Sequence, residues 1–303
     1  MAAWNRKRRK KKPHSPFCAR KTLRPARTRA MLLLMATLRE TISGMCKVSG
    51  IRLNTDLGQH FLCDQSVLDA VIAAAKLTPG QRVVEIGAGM GILTKELLKT
   101  GANVTSIELD RKWLPILRVY LGADLEQEKR FTLIHGNALD VDFPEEPYTV
   151  VANIPYQITS PLLRHAFLES KTAPTNMTLL IQREVAERIC NDKEGNLLGL
   201  MVSFFGKASI VRHVPGSSFF PPPKVESSVL HIETFPNPLA EGQTLERVLM
   251  LSKLAFGQKR KMLSNTIGSL PEGDKILTST GIDPKRRPQT LTTAEWIALA
   301  QAS

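Results

Sequence analysis

RVVEIGAGMG, at residues 82 to 91, has the pattern of a buried strand that runs directly into a glycine-rich loop. An amphipathic helix is predicted next, from Leu93 to Leu98. Glycines in such a loop let a ligand come close to the backbone at the N-terminus of the helix, which is how many α/β proteins hold nucleotides. A glycine pattern of this length is common, so it predicts a nucleotide-type ligand without identifying it.

Two acids narrow the choice of ligand. The next predicted strand, Asn103 to Leu109, carries Glu108 near its end, where a carboxylate can bind the two hydroxyls of a ribose. Glu85 lies immediately before the glycine loop, and its negative charge disfavours the anionic pyrophosphate of NAD. The sequence therefore predicts S-adenosylmethionine, whose sulfonium and amino groups are positive, as the cofactor.

Strands and helices alternate from residue 82 to residue 189, which predicts an α/β fold with a doubly wound, mostly parallel sheet. Residues 207 to 214 and 227 to 233 alternate in polarity like an antiparallel pair, so we expect an antiparallel edge hairpin. The pattern after residue 240 is that of short helices. We predict a catalytic domain at residues 51–235 and a small helical C-terminal domain at residues 240–303.

The positive charge of the chain is concentrated at its N-terminus. Residues 1 to 50 hold 14 of the 41 lysines and arginines but only one of the 28 acids, so this segment accounts for the whole net charge of +13. We expect it to be a basic, disordered extension. An RNA-contacting arm, a transit peptide and an unused upstream start, with Met31, Met35 or Met45 as the alternative, all stay open. The remaining body is neutral, so nucleic-acid binding there has to come from local patches.

Asn153-Ile154-Pro155-Tyr156 ends another predicted strand and offers hydrogen-bond acceptors beside an aromatic ring. Pro155 has no N–H and favours an extended conformation in the residue before it, so we expect the carbonyls at this turn to stay free. Asn153 adds a side-chain oxygen and Tyr156 a ring face. The exocyclic amine of a nucleobase is the natural ligand. The alternative is an ordinary strand-to-loop turn in which Tyr156 belongs to the core.

Phe219 begins a second aromatic segment, FFPPPK at residues 219 to 224. Its three prolines predict a rigid loop that holds an aromatic ring beside Lys224. We expect the two phenylalanines not to be wholly buried, although a scaffold turn is the alternative.

Two basic clusters, Lys259-Arg260-Lys261 and Lys285-Arg286-Arg287, lie in the predicted helical C-terminal domain. A solvated helix face is the plain interpretation of any charge run. In a body with zero net charge, two such clusters are better candidates for contacts with RNA phosphates.

The four cysteines are far apart and form no CxxC pair, so the sequence indicates neither a zinc site nor a disulfide framework, and a reducing compartment fits. The apolar run from Met31 to Leu38 is too short to span a bilayer and lacks a secretory cleavage pattern. We expect a cytoplasmic monomer that holds no metal and does not associate with membranes.

Seven motifs occur in order along the chain. They are LGQHFL at 57–62, EIGAGMG at 85–91, IELD at 107–110, GNAL at 136–139, NIPY at 153–156, FFPPPKVESSV at 219–229 and AFGQKRKML at 255–263. Together they resemble the small-subunit ribosomal RNA adenine N6,N6-dimethyltransferases over about residues 52 to 303. The resemblance implies a Rossmann-like, S-adenosylmethionine-dependent methyltransferase with a C-terminal domain that contacts RNA. It also implies an activity in ribosome biogenesis on a pre-30S-type particle, with two methyl groups going to N6 of each of two adjacent adenosines near the 3′ end of its rRNA.

The resemblance implies roles for individual residues as well. The cofactor would be bound by Gln59, His60 and Leu62 at its methionine end, by Gly87, Gly89 and Gly91 of the loop, by Glu108 at the ribose, by Asn137 at the adenine, and by Asn153. The residues at the target adenine would be Asn153, Pro155, Tyr156 and Phe219. The family often has Asn in place of His60 and Asp in place of Asn137. We expect Asn137 to keep an acceptor for the adenine amine and His60 to make binding pH-dependent.

Two other functions compete with this one. Erythromycin-resistance methylases share NIPY but act on large-subunit RNA, and the motifs AFGQKRKML and PPPKVESSV favour the small-subunit enzymes. A non-catalytic RNA- or DNA-binding assembly or transcription factor with the same fold is the alternative from another class. The intact NIPY and glycine loop argue against a vestigial site.

Overall fold

A computed structural model describes the chain at residues 37–55, 58–122, 129–191, 196–258 and 260–303. The strands of its central sheet are β2 (Arg82–Ile86), β3 (Asn103–Glu108), β4 (Phe131–His135), β5 (Thr149–Asn153), β6 (Asn176–Gln182), β7 (Gly206–Val214) and β9 (Ser227–Thr234). They form a seven-stranded sheet in the order β4-β3-β2-β5-β6-β9-β7. Strands β2 to β6 pair in parallel, while β9 pairs antiparallel with both β6 and β7. The predicted sheet with its antiparallel edge hairpin is confirmed.

Helices cover both faces of this sheet, because its central strands are apolar on both sides. Neighbouring residues of one strand, such as Val150 and Val151, are fully buried in two different hydrophobic clusters, one on each face. The helices are α1 (Leu38–Ser49), α2 (Gln65–Ala75), α3 (Ile92–Lys99), α4 (Leu114–Leu121), α5 (Thr159–Arg164), α6 (Arg183–Cys190) and α7 (Leu197–Phe205).

The winding of the chain reverses between β2 and β5. From β2 the chain proceeds outward to β3 and β4, and it then returns to the other side of β2 to form β5. Ile86 is in register with Ala152, so the glycine loop and the NIPY turn leave the sheet side by side. Doubly wound sheets bind their ligands at this reversal, outside the carboxyl ends of the strands. The topology thus brings two of the motifs to one place.

A second, two-stranded sheet was not predicted. Strand β1 (Phe61–Leu62) pairs antiparallel with β8 (Phe219–Phe220), and Leu62 lies opposite Phe219. The pairing lays the LGQHFL segment against the start of the proline-rich loop. Leu57 of that motif lies outside the described residues.

The prediction of disorder through residue 50 is wrong for its last part, where α1 forms. Thr37 and Glu40 make a capping box, in which each side chain accepts a hydrogen bond from the other residue's backbone N–H. Gly50 ends the helix in the left-handed conformation, at φ 65°. The composition of residues 1 to 50, taken as a whole, is basic, so it does not indicate the one short amphipathic helix within them.

The apolar face of α1 belongs to the core. Ile42 and Met45 are 0% and 3% exposed, so they are as deeply buried as the core residues of the sheet. A chain that started at Met45 would lose half of this helix, which argues against that alternative start. Residues 1 to 36 lie outside the described residues.

The C-terminal region is helical, as predicted, with α8 (Gly242–Phe256), α9 (Gly273–Ser279) and α10 (Thr293–Gln301) joined by short 3-10 turns. Trp296 of α10 stacks on Phe256 of α8 with ring centroids 5.9 Å apart. Trp296 also belongs to the same hydrophobic cluster as Phe205 of α7, so this region shares a core with one face of the sheet. No helix in the described ranges combines the length and apolar character that a membrane span needs.

Candidate active site

The glycine loop follows β2 and ends at the N-terminus of α3. Gly87, Gly89 and Gly91 have φ values of 77°, 53° and 89°, which only glycine adopts without strain. An ideal Cβ on Gly89 would lie 2.5 Å from Cε1 of Phe61, so the phenylalanine of LGQHFL packs directly on the loop. The loop therefore exposes backbone at a helix N-terminus, as a nucleotide-type ligand requires.

Glu108 ties the end of β3 to this loop. Its Oε2 accepts a hydrogen bond from Gly89 N and its Oε1 accepts one from Asp110 N, both at 2.7 Å. The residue is 6% exposed, and burial raises the pKa of its carboxyl group. Each carboxylate oxygen keeps a second lone pair, so the pair of oxygens suits two ribose hydroxyls.

Glu85 lies under the loop and is fully buried. Its Oε2 accepts hydrogen bonds from the hydroxyls of Thr94 and Ser106, whereas its Oε1 has no hydrogen-bond partner among the described residues. Burial raises the pKa of Glu85 to about 7. A buried carboxyl with an unmatched oxygen suits a neighbouring positive ligand, which would favour its ionised form. We call loop 87–91, Glu85 and Glu108 the cofactor side.

Gln59 is positioned by the nucleoside end of the cofactor side. Its Nε2 donates to Asp110 Oδ2 at 2.9 Å, and its Oε1 accepts from Asn54 N at 2.8 Å. Asp110 in turn donates its backbone N–H to Glu108, so Gln59 lies beside the acid assigned to the ribose. The role implied for Gln59 at the methionine end stays a prediction.

His60 connects LGQHFL to the proline-rich loop. Its Nδ1 lies 2.8 Å from the carbonyl oxygen of Pro221, which can only accept, so Nδ1 carries the hydrogen. Its own carbonyl oxygen accepts a hydrogen bond from Asn153 Nδ2 at 3.3 Å. Leu62 is 5% exposed and packs in the core, so only its backbone is available to a cofactor.

Asn137 folds its side chain back onto its own loop. Its Oδ1 accepts from Leu139 N at 3.2 Å, and its Nδ2 donates to Asp140 Oδ2 at 2.9 Å. A carboxylate at position 137 would repel Asp140 instead of donating to it, which gives a physical reason for the departure from the family pattern. The amide keeps one lone pair on Oδ1 for an adenine amine.

A small cavity of about 10 Å³ marks the place predicted for the target base. It is lined by Gly58, His60, Asn153, Ile154, Tyr156 and Phe219. Asn153, Tyr156 and Phe219 are thus brought together as predicted from two distant motifs. The cavity has room for a single water molecule at most, so an adenine bound there would have to widen it. We call Asn153 to Tyr156 and residues 217 to 221 the target side.

Phe219 corrects the expectation that neither phenylalanine is wholly buried. Its side chain is 1% exposed because β8 pairs with β1, which places Phe219 in one cluster with Leu62. Phe220 is half-buried. Phe219 therefore lines the cavity while its side chain is packed in the core.

Pro155 corrects a second expectation. Its carbonyl accepts a hydrogen bond from Ile158 N at 3.1 Å and so starts a 3-10 turn, Tyr156–Ile158. Proline lacks an N–H but keeps its acceptor, which is why the turn can begin there. The carbonyl of Ile154 is the remaining backbone candidate at this corner.

Tyr156 is held by its hydroxyl, which lies 2.7 Å from Ser227 Oγ at the start of β9. Burial raises the pKa of Tyr156, so the hydroxyl stays protonated near neutral pH. Ser227 was not singled out from the sequence, although it lies within the motif at residues 219 to 229.

Leu109, between Glu108 and Asp110, is a further residue of this site that the sequence does not predict. It is 67% exposed, an unusual placement for a leucine directly after a buried strand. An exposed apolar side chain next to the acid assigned to the ribose offers a surface for a nucleobase. The position of Leu109 between Glu108 and Asp110 in IELD does not by itself show that the side chain is exposed.

The two basic clusters of the C-terminal region lie together. Leu263 N donates to Arg286 O at 2.8 Å, and Ser264 N donates to Pro284 O at 2.9 Å. Arg286 has a structural role, because its guanidinium pairs with Glu295 at 2.5 and 3.1 Å. The exposed cations that remain are Arg260, Lys261, Lys285 and Arg287, whereas Lys259 lies outside the described residues.

The chain matches known proteins over most of its length. The model of the ribosomal RNA adenine dimethylase family matches residues 50–302. Ribosomal RNA small subunit methyltransferase A of Dehalococcoides mccartyi is 38% identical over 275 residues, which cover 87% of this chain and 91% of that protein. Among solved structures, a dimethyladenosine transferase from Plasmodium falciparum is similar with 25% identity and a TM-score of 0.69, covering 79% of this chain and 96% of its own. The 23S rRNA methyltransferase ErmE is similar with 27% identity and a TM-score of 0.65, covering 80% and 98%.

Proposed function

This chain belongs to the ribosomal RNA adenine dimethylase family, and on that premise we propose that it dimethylates N6 of two adjacent adenosines near the 3′ end of small-subunit rRNA. The methyl donor is S-adenosylmethionine. The relative from D. mccartyi is named for the small subunit and is 38% identical. The likeness to the 23S rRNA methyltransferase ErmE is at 27% identity, so large-subunit methylation is the weaker candidate.

The observation that carries the proposal is the meeting of the glycine loop and the NIPY turn. An ideal Cβ on Gly87 would lie 3.6 Å from the carbonyl oxygen of Asn153. A cofactor held on the loop would therefore have, as its neighbour, the residue that we assign to the target amine. Direct transfer between two bound groups requires this adjacency, because the reacting atoms have to approach to about 3 to 3.5 Å.

The cofactor side fits S-adenosylmethionine in charge and in shape. The glycine loop offers backbone at a helix N-terminus, and the unmatched oxygen of buried Glu85 favours a positive ligand. When bound, S-adenosylmethionine supplies an electrophilic methyl group on a sulfonium. We assign Glu108 to the ribose, Asn137 to the adenine amine and the exposed side chain of Leu109 to the adenine face.

The target side has to align a weak nucleophile, because the lone pair of an adenine N6 amine is delocalised into the ring. Asn153 Nδ2 donates to the His60 carbonyl, so we assign its Oδ1 to an incoming amine. We propose that this oxygen and the Ile154 carbonyl accept the two amine hydrogens, which favours the pyramidal nitrogen that attacks. Tyr156 and Phe219 would hold the ring. Their stacking offsets the cost of a few kcal/mol for taking the base out of its stack.

The helical C-terminal region would contact RNA phosphates through its joined basic clusters. We propose that the substrate is a pre-30S-type particle, that the protein acts on it as a monomer, and that it does so in the cytoplasm. A body with no net charge would bind RNA where its cations cluster instead of over its whole surface.

Mapping of dimethyladenosine in rRNA, with and without the protein, tests the function. We expect two adjacent dimethyladenosines near the 3′ end of small-subunit rRNA that disappear when the protein is absent or carries Asn153→Ala. Modification confined to large-subunit RNA would replace the proposal by the second candidate. Absence of methyl incorporation into any RNA would support a non-catalytic assembly factor.

A further inference from the structure

Arg39, on α1, reaches the loop that carries Phe219. Its Nη2 donates to the carbonyl oxygens of Ser217 at 2.5 Å and of Phe219 at 3.1 Å. The guanidinium carbon lies 5.8 Å from the centroid of the Phe220 ring, within the range of a cation–π contact. Helix α1 precedes the part of the chain that the family model matches, residues 50–302. None of the seven motifs includes Arg39.

Helix α1, which carries Arg39, is anchored in the hydrophobic core. Ile42, one turn after Arg39, is 0% exposed, and it lies in one hydrophobic cluster with Leu62 and Phe219. The capping box at Thr37 fixes the first turn, in which Arg39 lies. Arg39 is itself exposed, but the helix that carries it packs against the same core as the ring of Phe219.

The loop depends on donors from outside itself. The carbonyls of Ser217 and Phe219 accept from Arg39, and the carbonyl between them, that of Ser218, accepts from Cys63 N at 2.8 Å. Ser218 Oγ also donates to Asp64 Oδ2 at 2.8 Å. Strand β8 is only two residues long, so its own pairing with β1 gives little support.

We propose that Arg39 is a positioning residue for the target adenine, because it fixes the backbone of Ser217 and Phe219 and thereby sets where the Phe219 ring faces Asn153 and Tyr156. The inference rests on the proposed function, since it concerns how the target base is held. It gives a role in methyl transfer to a helix that contains none of the seven motifs. It predicts that α1 affects methyl transfer without affecting the cofactor.

Arg39→Ala, Arg39→Lys and Lys47→Ala in the full chain test the proposal. Lys47 is an exposed cation in the last turn of the same helix, so its loss matches the change of charge without touching the loop. The measurements are kcat and KM for a small-subunit particle, S-adenosylmethionine affinity by calorimetry, the ratio of dimethyl to monomethyl product, and the thermal unfolding midpoint.

We expect kcat of Arg39→Ala to fall about tenfold, because a displaced ring misaligns the base. Monomethyl product should accumulate, since the second transfer needs the same alignment with a bulkier amine. S-adenosylmethionine affinity should stay within about twofold of wild type, as for a surface change away from that site. Arg39→Lys should recover part of kcat, because an ammonium can donate to carbonyls but lacks the planar fork. Lys47→Ala should keep the kcat of wild type.

An unchanged kcat in Arg39→Ala, beside an active wild type, would overturn the inference and leave the proposed function intact. A raised KM for RNA with constant kcat, shared by Lys47→Ala, would make Arg39 a contact for RNA and would also overturn it. If wild type itself transferred no methyl group to RNA, the proposed function would fail, and the inference with it. If Arg39→Ala lowered the unfolding midpoint and weakened S-adenosylmethionine binding together with kcat, the role of Arg39 would be purely structural, and the inference would be overturned.

Discussion

The chain builds the cofactor side and the target side in different ways. On the cofactor side, the glycine loop continues directly from β2, and its link to Glu108 at the end of neighbouring β3 is a 2.7 Å hydrogen bond. The target side joins two distant segments, the NIPY turn and the start of the proline-rich loop, and it is held by contacts from two more, α1 and residues 58 to 64. The first arrangement follows from the sheet, whereas the second depends on interactions between loops. We therefore expect changes on the target side to stop methyl transfer while cofactor binding survives.

Asn153→Ala should have the largest effect. It removes the side-chain acceptor that we propose for the reacting amine, and the loss of one preorganised polar group costs about a hundredfold or more in kcat. The fold should persist, because within the described residues the Asn153 amide makes a single long hydrogen bond, 3.3 Å to the His60 carbonyl. Single-turnover methyl transfer measures the change, and exposed Ser160→Ala on the following helix is the control. Wild-type turnover in Asn153→Ala would disprove the assignment of the target side.

Glu85→Gln should stabilise the cofactor side while it weakens its function. The pKa of Glu85 is raised from 4.5 to about 7 in the folded chain, so the folded state keeps a proton that the unfolded state has lost. The free energy of unfolding therefore falls as pH rises from about 4.5 to 7, by on the order of 3 kcal/mol. The glutamine variant has no such proton and should be the more stable protein at pH 8.

Urea unfolding from pH 5 to pH 8, with exposed Glu246→Gln as the control, measures that difference. At pH 8 the same variant should bind S-adenosylmethionine more weakly, since a negative charge beside a positive ligand is removed. Parallel pH profiles for wild type and Glu85→Gln would contradict the role of this carboxyl.

Glu108→Ala should raise the dissociation constant of S-adenosylmethionine. The ribose would lose a charged acceptor worth about 1.5 to 3 kcal/mol, which corresponds to a change of roughly tenfold to a hundredfold. The glycine loop also loses its 2.7 Å tie to β3, so part of the effect is loosening of the loop. Calorimetry measures the dissociation constant of S-adenosylmethionine, once with saturating RNA and once with only trace RNA present. Equal affinity in variant and wild type would place the ribose elsewhere.

Removal of residues 1 to 34, so that the chain begins at Met35, should have the smallest effect. It keeps the capping box at Thr37 and all of α1, and every motif lies later. We expect turnover to be retained, with weaker RNA affinity only at low salt, where lysines and arginines contribute most. If the segment is an RNA arm, its removal flattens the dependence of log K on log salt; if it is a transit segment or an unused start, the slope stays the same. Inactivity of a folded Met35 protein would contradict the assignment of the motifs.

The fold and the cofactor side are readable from the sequence because neighbours in sequence build them. The alternation of strands and helices predicts the sheet, and the glycine loop is contiguous with β2. The position of Glu108 beside the loop is predictable because β3 is a parallel neighbour of β2, so the carboxyl ends of both strands reach the same edge of the sheet. Leu109 was missed because an exposed leucine has no signature in composition alone.

The target side is only partly readable, because long-range pairing decides it. The pairing of β1 with β8 buries Phe219, and two residues on each strand give no periodic pattern to recognise. The Pro155 carbonyl was expected to be free, yet a 3-10 turn uses it, since proline restricts its donor and not its acceptor. Helix α1 was overlooked because the basic residues before it dominate the composition of the segment.

Residues 58 to 62 contact both sides at once, so we expect them to couple the two binding equilibria. The Phe61 ring packs on Gly89, while the His60 carbonyl and ring contact Asn153 and Pro221. A ligand that orders this segment from one side leaves less conformational entropy for the second ligand to lose. Such cooperativity would be reciprocal: whatever factor S-adenosylmethionine added to the affinity for RNA, RNA would add to the affinity for S-adenosylmethionine. The enzyme would thus tighten its hold on the donor once an acceptor base has arrived, and a second donor molecule would bind most strongly while the half-methylated adenosine is still in place.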